Sequence, residues 1–235
     1  MAVSERVATP GAAVPLLAVA HGSSDPAAAQ AHRELLAQTG LPWHLAHLDH
    51  SEPRPAQVLD ELAAADVREV VVLPLLLAHA GHARDDVGRL SSSRLRVRHG
   101  RALAPHPLLL QAAAARLGEA GVPSGAAVVV VAAGTRDEEA NAAVHAVAAW
   151  LVSTGCIADA AAGFASLTGP TPAEAADGLR RRGHVDLAVL PWFLAPGRLP
   201  RAAVDAVDGR WVAPALGAHP LVARVVVERY TEALA

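Results

Sequence analysis

The sequence predicts an α/β protein of two similar subdomains. Each is a four-stranded parallel sheet flanked by helices, and the two face each other across a cleft. Three observations predict this. Short apolar runs alternate with longer amphipathic ones along the whole chain, as successive βα units require. Pro26, Pro53 and Pro107 open longer runs, in the first helical turn where a missing N–H costs nothing. The second half of the chain also repeats the first.

In the first half, strands are expected at Val14–Ala20, Trp43–Asp49, Glu69–Leu77 and Leu95–Ala104. Helices are expected at Pro26–Gln38, Pro53–Ala65, His82–Ser91 and Pro107–Ala120. The second half follows the same scheme. Pro53 to Leu62 matches Pro170 to Leu179 at an offset of 117, with five identities in ten. The same offset aligns Val72-Leu73-Pro74 with Val189-Leu190-Pro191, and Arg84 with Arg201. Gly22-Ser23-Ser24-Asp25 falls on Gly134-Thr135-Arg136-Asp137 at offset 112, and His106-Pro107-Leu108 on His219-Pro220-Leu221 at offset 113. Ordered matches with small changes of offset are what a duplication with loop insertions leaves. The join falls where Gly, Pro and Ser cluster, between Gly118 and Gly125. The subdomains are therefore expected at 1–121 and 122–235.

Composition removes several chemistries. The 235 residues are 52 % hydrophobic and 18 % charged, enough to bury a core without staples. Every Lys-or-Arg position is Arg, which excludes a lysine Schiff base and a P-loop lysine. One cysteine, Cys156, excludes an intrachain disulfide, a cysteine zinc site and a cysteine-held iron–sulfur cluster. A net charge of −3 gives no basic field for nucleic acid. No apolar run reaches the ~18–20 residues of a membrane span. Ala12–Ala20 ends like a signal-peptide cleavage site, but no basic segment precedes it and a similar run recurs at Ala126–Ala133. A core strand accounts for both, so a cytoplasmic location is expected.

Ligands of an open parallel sheet bind beyond the carboxyl ends of its strands. After the first strand comes His21-Gly22-Ser23-Ser24-Asp25; the second ends at Asp49, followed by His50 and Glu52; the third leads to His79, His82 and Arg84-Asp85-Asp86. Two histidines and a carboxylate on one rim suit a divalent metal with open positions. The turn at Gly22–Ser24 offers N–H groups and hydroxyls to a carboxylate or phosphate. In the repeat, His21 becomes Ala133, Asp49 becomes Ser166 and His82 becomes Leu199, while framework Pro, Leu, Ala and Arg persist. One site in the first half, capped by a degenerate second half, is the expectation. His106 and His219 recur beside Pro and read as structural. His44, His47 and His50 recur at strand spacing; the stripe is either metal-binding or a wet face at a strand end, and the wet face is favoured. Arg98-His99-Gly100 mimics a histidine-phosphatase motif by coincidence.

Ala20-His21-Gly22-Ser23, Leu48-Asp49-His50-Ser51-Glu52-Pro53, and Pro74-Leu75-Leu76-Leu77 with Ala80-Gly81-His82-Ala83-Arg84-Asp85-Asp86 together resemble the sirohydrochlorin chelatases. These are ATP-independent class II chelatases of the sirohaem and cobalamin routes. The resemblance spans both halves, including Leu216 to Leu221, and is to the long two-domain form. It implies that His21, Asp49 and His82 hold the metal, although Asp49 stands where the family has Glu. It implies insertion of a divalent metal into sirohydrochlorin, with His21 and His82 as ligands and proton acceptors. Ser23, Ser24, Arg84 and Arg89, with Arg198 and Arg201 from the other half, are candidates to bind substrate carboxylates.

The expected metal is Fe²⁺, with Co²⁺ and Ni²⁺ open. It is a substrate, and no tightly bound cofactor is expected. Neither nucleic acid nor membrane is an expected partner, and a monomer is favoured because a fused duplicate can replace a dimer. The alternative is a non-catalytic metal or tetrapyrrole carrier on the same fold. A hydrolase using Ser23 or Ser24 ranks below both, for want of a Gly-x-Ser-x-Gly turn.

Overall fold

The computed structural model describes residues 13–77 and 86–235. The first half runs β1 (Leu16–Ala20), α1 (Pro26–Ala37), β2 (Trp43–His47), α2 (Pro55–Ala64), β3 (Glu69–Pro74), β4 (Arg96–His99) and α3 (Pro107–Glu119). The second runs β5 (Ala127–Ala132), α4 (Glu138–Ser153), β6 (Asp159–Phe164), α5 (Pro172–Arg181), β7 (Leu187–Pro191), α6 (Arg198–Asp205), β8 (Trp211–Val212) and α7 (Pro220–Leu234). Of the expected helix at His82–Ser91, residues up to 85 lie outside the described residues, and 86–88 are helical.

The two sheets have the orders β2-β1-β3-β4 and β6-β5-β7-β8, and every strand pair is parallel. The chain therefore winds outward in one direction from β1 and in the other from β3. The carboxyl ends of that central pair border the crevice where such sheets take ligands.

Central strands are apolar on both faces, as a doubly covered parallel sheet demands. Leu16, Ala18 and Ala20 of β1 point into a core shared with Val128, Val130 and Ala132 of β5. Leu17 and Val19 point the other way, onto Val58, Leu59 and Leu62 of α2. Val129 and Val131 meet Ala175, Ala176 and Leu179 of α5 in the same manner. One large core thus lies between the two sheets, and a smaller one lies outside each.

The last helix of each half crosses over. α3 packs against β7 of the second sheet, and α7 packs against β3 and β4 of the first. Polar contacts fix the exchange. Buried Arg229 of α7 donates to the carbonyls of Ala102, Leu103 and Pro105. Tyr230 donates to Val14 O at 2.6 Å, and Arg116 of α3 to Leu216 O at 2.9 Å.

Some sequence expectations shift. Pro53 does not open α2; the helix starts at Pro55 after Arg54, because Pro53 O still accepts from His47 N at 2.9 Å at the end of β2. β4 stops at His99. The apolar run continues to Ala104 because Ala102, Leu103 and Ala104 are buried in the core, and burial alone does not distinguish strand from packed loop.

Candidate active site

Two turns at the carboxyl ends of β1 and β2 are locked together. Asp49 N donates to His21 O at 2.8 Å and Leu48 N to Ala20 O at 3.0 Å. Gly22 has φ +99°, and a Cβ there would stand 1.7 Å from Asp49 O, so only glycine fits. Ser51 Oγ donates to Ser23 O at 2.8 Å, and Ser23 Oγ accepts from Asp25 N at 3.1 Å. Arg54 donates to Leu48 O and closes the far side of the loop.

This frame carries the candidate ligands. His21, Asp49 and His50 are exposed at the rim. The rings of His21 and His50 stack with centroids 6.2 Å apart. His50 N donates to Asp49 Oδ1 at 2.8 Å, and His50 Nε2 lies 3.5 Å from Asp49 Oδ2. That N–H first, then the His50 charge, holds the Asp49 carboxyl below its usual value. His82 and Arg84 lie outside the described residues. Among the described residues, no three His, Cys, Asp or Glu side chains stand close enough to hold one ion as they are.

The second half reaches this rim. Gly197, just before α6, approaches Ser23, whose Oγ is 3.5 Å from where a Cβ would lie. Arg201 of α6 pairs with Asp25 Oδ2 at 3.3 Å, while Asp25 Oδ1 caps α1 through Ala27 N. Arg201 is thereby brought beside the Ser23 turn. Ser24, Arg89 and Arg198 are exposed, and Ser23 is engaged in the turn itself. Ser51 escaped the sequence reading, because a loop hydroxyl carries no periodic signal.

The duplicate reproduces the frame without the ligands. Ser166 N donates to Ala133 O at 2.9 Å and Thr168 N to Ser166 O at 2.8 Å, matching Asp49–His21 and Ser51–Asp49. Gly134 has φ +82°, with its virtual Cβ 2.1 Å from Ser166 O. His50 and Leu167 share left-handed φ values of 58° and 64°. The backbone of the two rims is the same device; only the side chains differ.

The histidine stripe is corrected. His44, His47 and His50 are three apart, so His44 and His47 point to opposite faces of β2, and His50 lies beyond the strand. His47 is not on a wet face: it is 2 % exposed, and His32 of α1 is 7 % exposed. His32 Nδ1 and both ring nitrogens of His47 have no hydrogen-bond partner. Burial pushes His32 down to about 4, helped by His47. Burial also lowers His47; the Glu52 carbonyl opposes the shift without making a well-formed hydrogen bond. His106 and His219 cap α3 and α7 through Leu108 N and Leu221 N, a structural role. Arg98 binds Glu69 and Leu234 O, also structural.

Two doubly wound parallel sheets packed on one core define a class of two-lobed α/β proteins, in which the carboxyl-end rim of the strands is where such sheets take ligands. The sequence signature of the CbiX family matches residues 15–120 and again 127–233. The chain belongs to that family. It is 25 % identical to a sirohydrochlorin cobaltochelatase of Priestia megaterium, over 93 % of this chain and 79 % of that protein. Its fold matches the structure of SirB from Bacillus subtilis with Fe³⁺, at a TM-score of 0.77 and 22 % identity, covering 94 % and 95 % of the two chains. It also matches sirohydrochlorin chelatase SirB from Bacillus subtilis subspecies spizizenii in complex with cobalt, at a TM-score of 0.74 and 20 % identity, covering 93 % and 94 %.

Proposed function

We propose that the protein is a sirohydrochlorin chelatase that inserts a divalent metal, Fe²⁺ foremost and Co²⁺ next, without ATP. The observation that carries this reading is the contrast between the two rims. One backbone frame is built twice, and the imidazoles and carboxylate stand on the first copy alone. Family membership supplies the reaction class, and the names of the relatives point to sirohydrochlorin with cobalt or iron.

In this reading His21, His82 and Asp49 bind the metal from one side and leave positions open to the ring nitrogens. As the metal passes from the imidazoles to the ring nitrogens, the freed nitrogens of His21 and His82 take up the two pyrrole protons that insertion releases. The substrate carboxylates meet Ser23, Ser24, Arg84 and Arg89 from the first half and Arg198 and Arg201 from the second. Exposed Leu199, where the first half has His82, offers apolar surface to the flat macrocycle.

The test is anaerobic insertion followed by absorbance, with sirohydrochlorin and Fe²⁺, Co²⁺ or Ni²⁺ in turn. The reading expects metal-specific acceleration over the protein-free rate, lost in His82→Ala. Binding of metal and tetrapyrrole by folded protein without acceleration would replace it with the carrier reading.

A further inference from the structure

The loop after β2 holds one imidazole that the proposed reaction leaves idle. His50 is exposed, stacks on His21, and touches Asp49 through both its backbone and its ring. We propose that His50 is a ligand of the metal substrate, so that His21, Asp49 and His50 close on one divalent cation. The proposal rests on the chelatase reading for the purpose of the metal, and on the loop geometry for its site.

Three features carry it. The first is reach. Two imidazoles bound on one side of a metal at about 2.0–2.1 Å have ring centres roughly 4.5–5.3 Å apart, and those of His21 and His50, 6.2 Å apart, come within that distance by turning the exposed rings. The carboxylate is adjacent, with Asp49 Oδ2 at 3.5 Å from His50 Nε2.

The second is a fixed frame with free side chains. The Asp49–His21 backbone bond, the Gly22 contact and the Ser51–Ser23 clasp set the three Cα positions relative to one another. The side chains of Asp49 and His50 are 59 % and 57 % exposed, so turning them onto an ion disturbs no core packing. Convergence needs only such turns about the side-chain bonds.

The third is the duplicate. Leu167 occupies the same position with the same left-handed backbone and is 65 % exposed. The loop therefore does not need an imidazole in order to fold. A non-glycine residue in this conformation is strained, and both halves bear that strain whichever side chain is present. Imidazole and carboxylate together select borderline ions such as Fe²⁺, Co²⁺ and Ni²⁺ over Mg²⁺ and Ca²⁺.

The experiment is a Co²⁺ titration of the full chain, with NMR of the loaded protein. Paramagnetic Co²⁺ shifts the N–H signal of each bound imidazole far from the rest, so ligated histidines can be counted. His50→Leu copies the duplicate, and His50→Asn suits the left-handed backbone; thermal unfolding of both checks the fold. The expected result is one fewer shifted imidazole signal and at least tenfold weaker Co²⁺ binding in both variants. An unchanged count and affinity in either folded variant overturns the proposal, as does a wild-type protein that binds no Co²⁺. Insertion of metal into sirohydrochlorin is measured alongside. Insertion with His50 uninvolved removes only this proposal; ligation by His50 without insertion removes only the chelatase reading.

Discussion

Gly22 is the hinge pin of the rim. Its φ of +99° and a virtual Cβ 1.7 Å from Asp49 O mean that any side chain must separate the two loops that carry His21 and Asp49. Gly121 makes a natural comparison, with φ +68° and open space around it. Gly121→Ala is expected to cost about 1–2 kcal/mol of left-handed strain. Gly22→Ala adds a backbone clash and is expected to cost roughly 3 kcal/mol or more, with loss of Co²⁺ binding. Denaturant midpoints and Co²⁺ titrations of the two variants check this.

His32 sets a pH dependence at the same scale. Its pKa falls from 6.5 to about 4 on folding, so between those values the unfolded chain holds a proton that the folded chain does not. Stability is then full above about pH 6.5 and falls as pH drops toward 4, by about 3 kcal/mol for a shift of this size. The duplicate holds Val144 and Phe164 at the corresponding buried positions. His32→Val with His47→Phe removes three unpartnered buried nitrogens, and such replacements are neutral to stabilising. Unfolding midpoints at pH 7 and pH 5 are expected to differ less in the double variant than in wild type. The residues at the strand ends were legible because strand order dictates where a rim must be. The burial of His47 was not, because residues three apart in a strand lie on opposite faces and spacing alone does not say which face is covered.

At the scale of elements, most helices and strands follow from apolar runs and their stops, with the caps at Asp25, Asp137 and Thr171 marking true starts. The crossing of α3 and α7 left no trace in the sequence. An amphipathic helix presents the same apolar face whether it covers its own sheet or its neighbour's. Residues such as Arg229 show what the crossing costs to undo. Its guanidinium is buried and satisfies three carbonyls of the first half. Arg229→Met keeps the stem but orphans those acceptors, and is expected to lower stability by about 3 kcal/mol or more. A denaturant melt reads the loss directly, and an unchanged midpoint would show that α7 is not held this way.

The whole molecule is one cooperative body on this account, because the largest core draws side chains from both sheets and both exchanged helices. Calorimetry should show a single transition with equal calorimetric and van't Hoff enthalpies; two separable transitions would contradict it. The duplication was legible at this scale from three ordered offsets. The likeness of the two rims in backbone alone was not, since left-handed φ values at His50 and Leu167 have no common residue type behind them.

A shared frame thus carries chemistry on one copy only in the proposed chelatase. Sirohydrochlorin insertion rates with Fe²⁺ and Co²⁺ test it most directly when His21→Ala is set against Ser166→Ala, a change at the matching rim of the duplicate. Wild type and Ser166→Ala are expected to accelerate insertion equally, and His21→Ala to fall at least a hundredfold toward the protein-free rate, in line with loss of a general base. Equal losses in both variants, or a His21→Ala protein as fast as wild type, would contradict it.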